Sequence, residues 1–227
     1  MKKMSLIAAI ATLACAGAAN AGVYMSFADP IPGRQLHNTA NAVEAGVGRM
    51  TYDQSASFDF FIDGTDLGFG PVTITGAHME MDMAIGAAAV AGSATVAPVA
   101  GFFTIYIIGE DEIRRDVIRG LAGDGAFVRV GNTNALLFSD PDFEYQAGPV
   151  LEALNGGPVL FADPTEAVFT LTSIAPSGGG SFLNGDGTFK SFDANASFTG
   201  NAEVVPAPGA IALAGLGGLC MIRRRRA

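Results

Sequence analysis

Few residues in this chain have the types and spacing that chemistry requires. There are two histidines, His37 and His78, and two cysteines, Cys15 and Cys220. A Ser-His-Asp nucleophile would have to use one of those histidines, and no G-x-S-x-G elbow presents a serine. H-E-x-x-H and C-x-x-C are absent, which removes the common zinc ligand sets. No glycine-rich stretch completes G-x-G-x-x-G or a P-loop. Carboxylates are the abundant reactive group. Asp59, Asp63 and Asp66 form one cluster, and Glu110, Asp111 and Glu112 another. Paired carboxylates serve glycoside hydrolysis, but among 22 acids closeness in sequence says little. A sugar cleft also needs aromatic platforms. The chain has no tryptophan, and its tyrosines are Tyr24, Tyr52, Tyr106 and Tyr145. Hard oxygen donors suit calcium. The candidate ligands for a structural calcium are Asp63, Asp66, Asn184 and Asp186, in turns without EF-hand spacing.

The residues best suited to a reaction are substrates rather than catalysts. In Val205-Pro206-Ala207-Pro208-Gly209 two prolines fix φ and remove backbone donors, and each pushes the residue before it towards an extended form. Such a segment offers a backbone to a processing enzyme. Residues 210–222 follow without a charge, and Arg223, Arg224, Arg225 and Arg226 close the run. Thirteen apolar residues are short for a bilayer, which needs about 20. Arginine stems extend the reach by snorkelling, and arginine clusters resist translocation. These residues predict a C-terminal membrane helix with a cytoplasmic arginine stop.

The other end matches. Lys2 and Lys3 precede an apolar stretch, and Ala19-Asn20-Ala21 is an A-x-A site. Residues 1–21 therefore read as a secretory signal peptide, with cleavage leaving Gly22 first.

The order of motif, short apolar helix and terminal arginines over residues 204–227 resembles PEP-CTERM sorting tags, with Pro206-Ala207-Pro208 in place of Pro-Glu-Pro. The resemblance implies an exosortase-like processing enzyme as partner. It also implies cleavage near the motif and delivery to the cell surface or an exopolysaccharide matrix.

Residues 22–205 make one exported domain, followed by the tag at 206–227. All 22 acids of the chain lie in 22–205 against seven basic residues, a net charge of −15. That balance argues against nucleic acid and against anionic lipid as partners. Both cysteines fall in the targeting segments, so no disulfide staples the body. Its stability must come from packing or bound ions.

The strongest element signal is the strict alternation of Met79, Met81, Met83 and Ile85 with His78, Glu80, Asp82 and Ala84. Period two with one wet face is a strand of an antiparallel sheet. The methionine row predicts core packing rather than a soft-metal site. Strands are also expected over 22–28, 57–62, 102–108, 167–175 and 196–205, with a hairpin around Gly131-Asn132 and a turn at Asn184-Gly185-Asp186-Gly187. Two separate apolar stretches broken at Pro98 and Gly101 are expected over 92–108. Residues 34–48 read as loop. Ile113, Val117 and Leu121, four apart behind three acids, predict one short helix over 110–121, and 149–154 reads as a single helical turn. The expected fold is all-β, an antiparallel β-sandwich or jelly-roll-like ectodomain. The expected function is that of a non-enzymatic structural or interaction protein of the cell surface. A polysaccharide-active enzyme or carbohydrate-binding module is the alternative.

Overall fold

The computed structural model describes residues 21–29, 33–130, 136–140 and 143–205. Its strands in chain order are β1 (Ala21–Ala28), β2 (Leu36–Glu44), β3 (Val47–Tyr52), β4 (Phe58–Gly64), β5 (Gly70–Ile85) and β6 (Ala89–Ala91). Then come β7 (Ala94–Ile108), β8 (Arg114–Val130), β9 (Leu136–Asp140), β10 (Glu144–Ala147), β11 (Phe161–Pro176) and β12 (Phe192–Val204). A 3-10 turn, Thr65–Leu67, joins β4 to β5. The one α-helix among the described residues, α1 (Pro149–Asn155), begins with proline at its first turn and ends at Gly156 in the left-handed region, the normal proline-first, glycine-last arrangement.

Every strand pairing is antiparallel, and the pairings close on themselves. The circuit runs β1–β4–β5–β7–β8–β9–β11–β12 and returns to β1. The β2–β3 hairpin forms a second bridge between β12 and β5. A closed circuit leaves few unpaired edges to template aggregation.

The alternation seen in the sequence sets which faces turn inward. On β5, Ala77, Met79, Met81, Met83 and Ile85 are buried. On β12 the buried row is Phe192, Ala194, Ala196, Phe198, Ala202 and Val204. At the centre Phe103, Phe169 and Phe198 meet with ring centroids 5.0–5.2 Å apart. Each buried ring contributes about 1.5–3 kcal/mol by leaving water. The methionines fill the irregular space around these rings.

Residues 110–121 are not a helix. Gly109 N–H donates to Ile113 O at 3.0 Å, closing a tight turn with Glu112 at φ 59°, and β8 starts at Arg114. Gly120, inside the expected helix range, lies where phenylalanine rings cover the strand. A Cβ there would meet Phe143 at 2.4 Å and Phe103 at 2.5 Å. Residues 34–48 are not loop but most of the β2–β3 hairpin. Only Leu36 and Asn38 of β2 are buried, so β2 carries no apolar alternation to read. The apolar stretch with Pro98 and Gly101 is one strand, β7, bulged between Val99 and Gly101. The hairpin predicted around Gly131-Asn132 pairs β8 with β9, although residues 131–135 lie outside the described set. The predicted membrane helix at 210–222 also lies outside it. Among the described residues no helix is long and apolar enough to cross a membrane.

Candidate functional site: the end of the sheet that carries both chain ends

The first and last described strands are neighbours. Ala21 pairs with Val204, Gly22 with Glu203 and Val23 with Ala202. The expected leader junction, Ala21-Gly22, therefore lies beside the start of the expected sorting motif. Val205 is 47% exposed, yet its N–H donates to Leu160 O at 2.8 Å. The fold holds the chain up to the first motif residue with no slack between. Pro206, Ala207, Pro208, Gly209, Ala19 and Arg223–Arg226 lie outside the described residues.

The surroundings of Gly22 follow from where β4 ends. On the side away from β12, β1 pairs with β4 as far as Tyr24 opposite Asp63. One residue later β4 finishes at Gly64 and the chain enters the 3-10 turn. Gly22 N–H then has no strand carbonyl to meet, and Asp66 Oδ2 accepts it at 3.1 Å. Gly22, Tyr24, Asp63, Thr65, Asp66 and Asn201 line an open cleft of about 250 Å³. Both charged residues in that lining are acids.

Cations elsewhere are engaged. Arg49 bonds Asp82 through two nitrogens at 2.8 and 2.5 Å. Arg114 lies 4.1 Å above the Tyr106 ring and reaches Glu80 and Asp116. Arg115 bonds Asp111. Arg119 covers Phe102 and Arg129 covers Phe182. Arg34 donates to Ser173 O, and Lys190 to Gly179 O.

The four candidate calcium ligands divide between two turns. Asp63 Oδ1 accepts the Thr65 N–H and hydroxyl, and Asp186 Oδ1 does the same for Thr188. Those hydrogen bonds hold both carboxyls below the usual carboxylate range. Asn184 donates its amide to the Thr188 hydroxyl. Among the described residues no three His, Cys, Asp or Glu side chains are grouped to hold a metal ion.

The tyrosines do not form a platform. Tyr24 is 44% exposed, while Tyr52, Tyr106 and Tyr145 are buried. Tyr52 donates to Asp29 Oδ1 at 2.5 Å, and Asp29 Oδ2 accepts Ala196 N–H at 2.6 Å. Burial pushes the Asp29 carboxyl and the Tyr52 phenol upward. Tyr145 donates to Glu166 O at 2.7 Å. The histidines are also occupied. His78 Nδ1 is 3.0 Å from Ala56 O and 3.1 Å from Gln54 O. Two carbonyl acceptors require the proton on Nδ1. Its ring stacks on Tyr106 at 5.6 Å. His37 Nδ1 meets Asp193 Oδ1 at 2.7 Å, an exposed pair across β2 and β12.

The sequence marked Asp66 as an oxygen donor but gave no sign of its partner. Asn201 carried no signal, because only strand register brings it near Gly22, and Tyr24, two residues along β1, was marked only as an aromatic. No family model, no curated protein and no solved structure matches this chain.

Proposed function

We propose that the chain is an exported structural or interaction protein of the cell surface or exopolysaccharide matrix. Its 22–205 body is a sandwich-like or jelly-roll-like ectodomain, released or retained through the Val205-Pro206-Ala207-Pro208-Gly209 motif. An exosortase-like enzyme acts at that motif while residues 210–222 and Arg223, Arg224, Arg225 and Arg226 hold the tail in the membrane. The observation that carries this reading is the Ala21–Val204 register. Leader and tail leave one end of the body side by side, so a single membrane can hold both. Reversed placement of either end would have required a long spacer, and Val205 is still hydrogen-bonded to the body.

Mass spectrometry of both mature termini tests it. The expected protein begins at Gly22 and ends within residues 205–209. A surface-exposed protein that retains Met1, or a cytosolic protein with both ends intact, overturns it.

A further inference from the structure

We propose that Asp66 is the acceptor for a new α-ammonium group created at Gly22, so that removal of the leader makes an ion pair which locks β1 into the sheet. The inference rests on the leader reading above and adds a site to it.

Three observations converge. The Gly22 nitrogen already faces Asp66 Oδ2 at 3.1 Å. As a peptide N–H it supplies one donor and no charge. Hydrolysis of the Ala21-Gly22 bond adds water across it, leaving a carboxylate on the departing leader and an amine on Gly22 that takes up a proton. The same nitrogen then carries three donors and a positive charge. Second, the cleft around it is lined by Asp63 and Asp66 with no basic side chain, and Glu203 stands opposite Gly22 on β12. Among the described residues the cleft has no cation, and the cut supplies one. Third, Gly22 is a position where a terminus fits. Its ladder with β4 has run out, so loss of the preceding residues breaks no β1–β4 pairing.

The order of events follows from the register. Ala21 is paired with Val204 in the folded sheet, and a peptidase needs its substrate backbone unpaired. The cut therefore precedes the closing of β1 on β12, and the charge is available when the strand docks.

The groups facing the amine are Asp66 from the 3-10 turn, Asp63 from β4, Glu203 from β12 and Tyr24 from β1 itself. An ordinary α-amine titrates near about 8. Nearby carboxylates favour its charged form and raise that value. A raised folded value contributes stability that is complete below about pH 8 and lost as pH rises through the folded value.

The test uses the chain from Gly22 to Ala227 in detergent, released by a site-specific protease cutting directly ahead of Gly22. It is acylated with an amine-reactive ester at pH 8. Lys190 is the only other amine, and it serves as the internal reference. The expected result is α-amine labelling at least about three-fold slower than in Asp66→Asn, and slower than in the same protein unfolded in urea. Glu203→Gln should change the rate by less than about two-fold, since Glu203 is not bonded to the nitrogen. Equal rates in the parent, in Asp66→Asn and in urea overturn the proposal. The urea comparison decides it even if Asp66→Asn does not fold. The native N-terminus, sequenced separately, tests the leader reading. A start other than Gly22 sinks that reading and leaves the labelling result standing as chemistry of the cleft alone.

Discussion

The two ends of β12 close the same core by different means. At the Phe192 end the chain leaves β11, passes through residues 177–191 and returns with three rings. Phe182, Phe189 and Phe192 lie 6.0–6.4 Å apart and are each under 5% exposed. At the Val204 end the cover is mixed: Phe161, paired with Val204, lies 5.7 Å from the buried Tyr145 ring, which meets Phe143 at 4.8 Å. Leu151 of α1 and Val159 are buried, and the polar groups around Gly22 and Asp66 make the rim. One end is sealed by three rings around one returning segment, the other by side chains from several segments under a polar rim. Phe192→Ala should therefore cost about 3–5 kcal/mol, by losing the ring and leaving a cavity between Phe182 and Phe189. Val204→Ala should cost roughly 1.5–2 kcal/mol. Urea unfolding midpoints of the two variants measure the difference. Equal losses would remove the contrast between the ends.

Sealing by rings also demands a particular backbone beneath them. Gly187 sits at φ 85°, and a Cβ there would meet Ala88 O at 2.4 Å. That carbonyl belongs to the residue whose N–H bonds Gly187 O at 2.8 Å, so the two segments cannot separate without losing a hydrogen bond. Gly187→Ala should destabilise by about 2 kcal/mol or more. Gly185, two residues away in the same turn, has no atom within 4 Å of such a Cβ. Gly185→Ala should fall within about 0.5 kcal/mol of the parent. Thermal melting of the pair sharpens the comparison. If both are neutral, the far end is held by rings alone.

The Met79–Ile85 row was legible because one face of β5 is buried along its length and the other is wet. The Asn184–Gly187 turn was legible because its residue types dictate local geometry before any packing. The end that carries the termini was not. Gly22 meets Asp66 only because β4 stops at Gly64, and no periodicity records where a neighbouring strand ends. The misread helix has a related cause. Ile113, Val117 and Leu121 are four apart, and Asp111 and Arg115 do form an i,i+4 ion pair. That pair crosses a hairpin turn instead of a helix face. The competing fact was that Gly120 and Gly125 must leave room for Phe143, Phe103 and Phe138, which is a property of distant strands. For β2, the exposed Asn41 at φ 55° accepts Gly46 N–H at 2.7 Å, and a polar hairpin of that kind has no apolar pattern to find.

Acid should separate groups that charge holds from groups that burial holds, with a smaller effect than either substitution above. The Arg115 guanidinium beside Asp111 holds that carboxyl down at about 2, with a further hydrogen bond from Ile113 N–H. Its folded value lies below the unfolded value of about 3.9. The pair's contribution is therefore complete above about pH 4 and is lost as pH falls through about 2. Asp29 has the opposite sign. Burial raises its folded value, against the hydrogen bonds from Tyr52 and Ala196 that lower it. Its contribution is present below about pH 3.9 and declines as pH rises through the raised value. Carboxyl carbon shifts followed by NMR from pH 1.5 to 7 read both. Arg115→Ala should return Asp111 towards about 3.9, and Tyr52→Phe should move Asp29 further up by removing a donor to its charged form. If Arg115→Ala leaves Asp111 low, the turn is held by its own backbone N–H groups, and charge is not what sets this hairpin apart from the ring-sealed end.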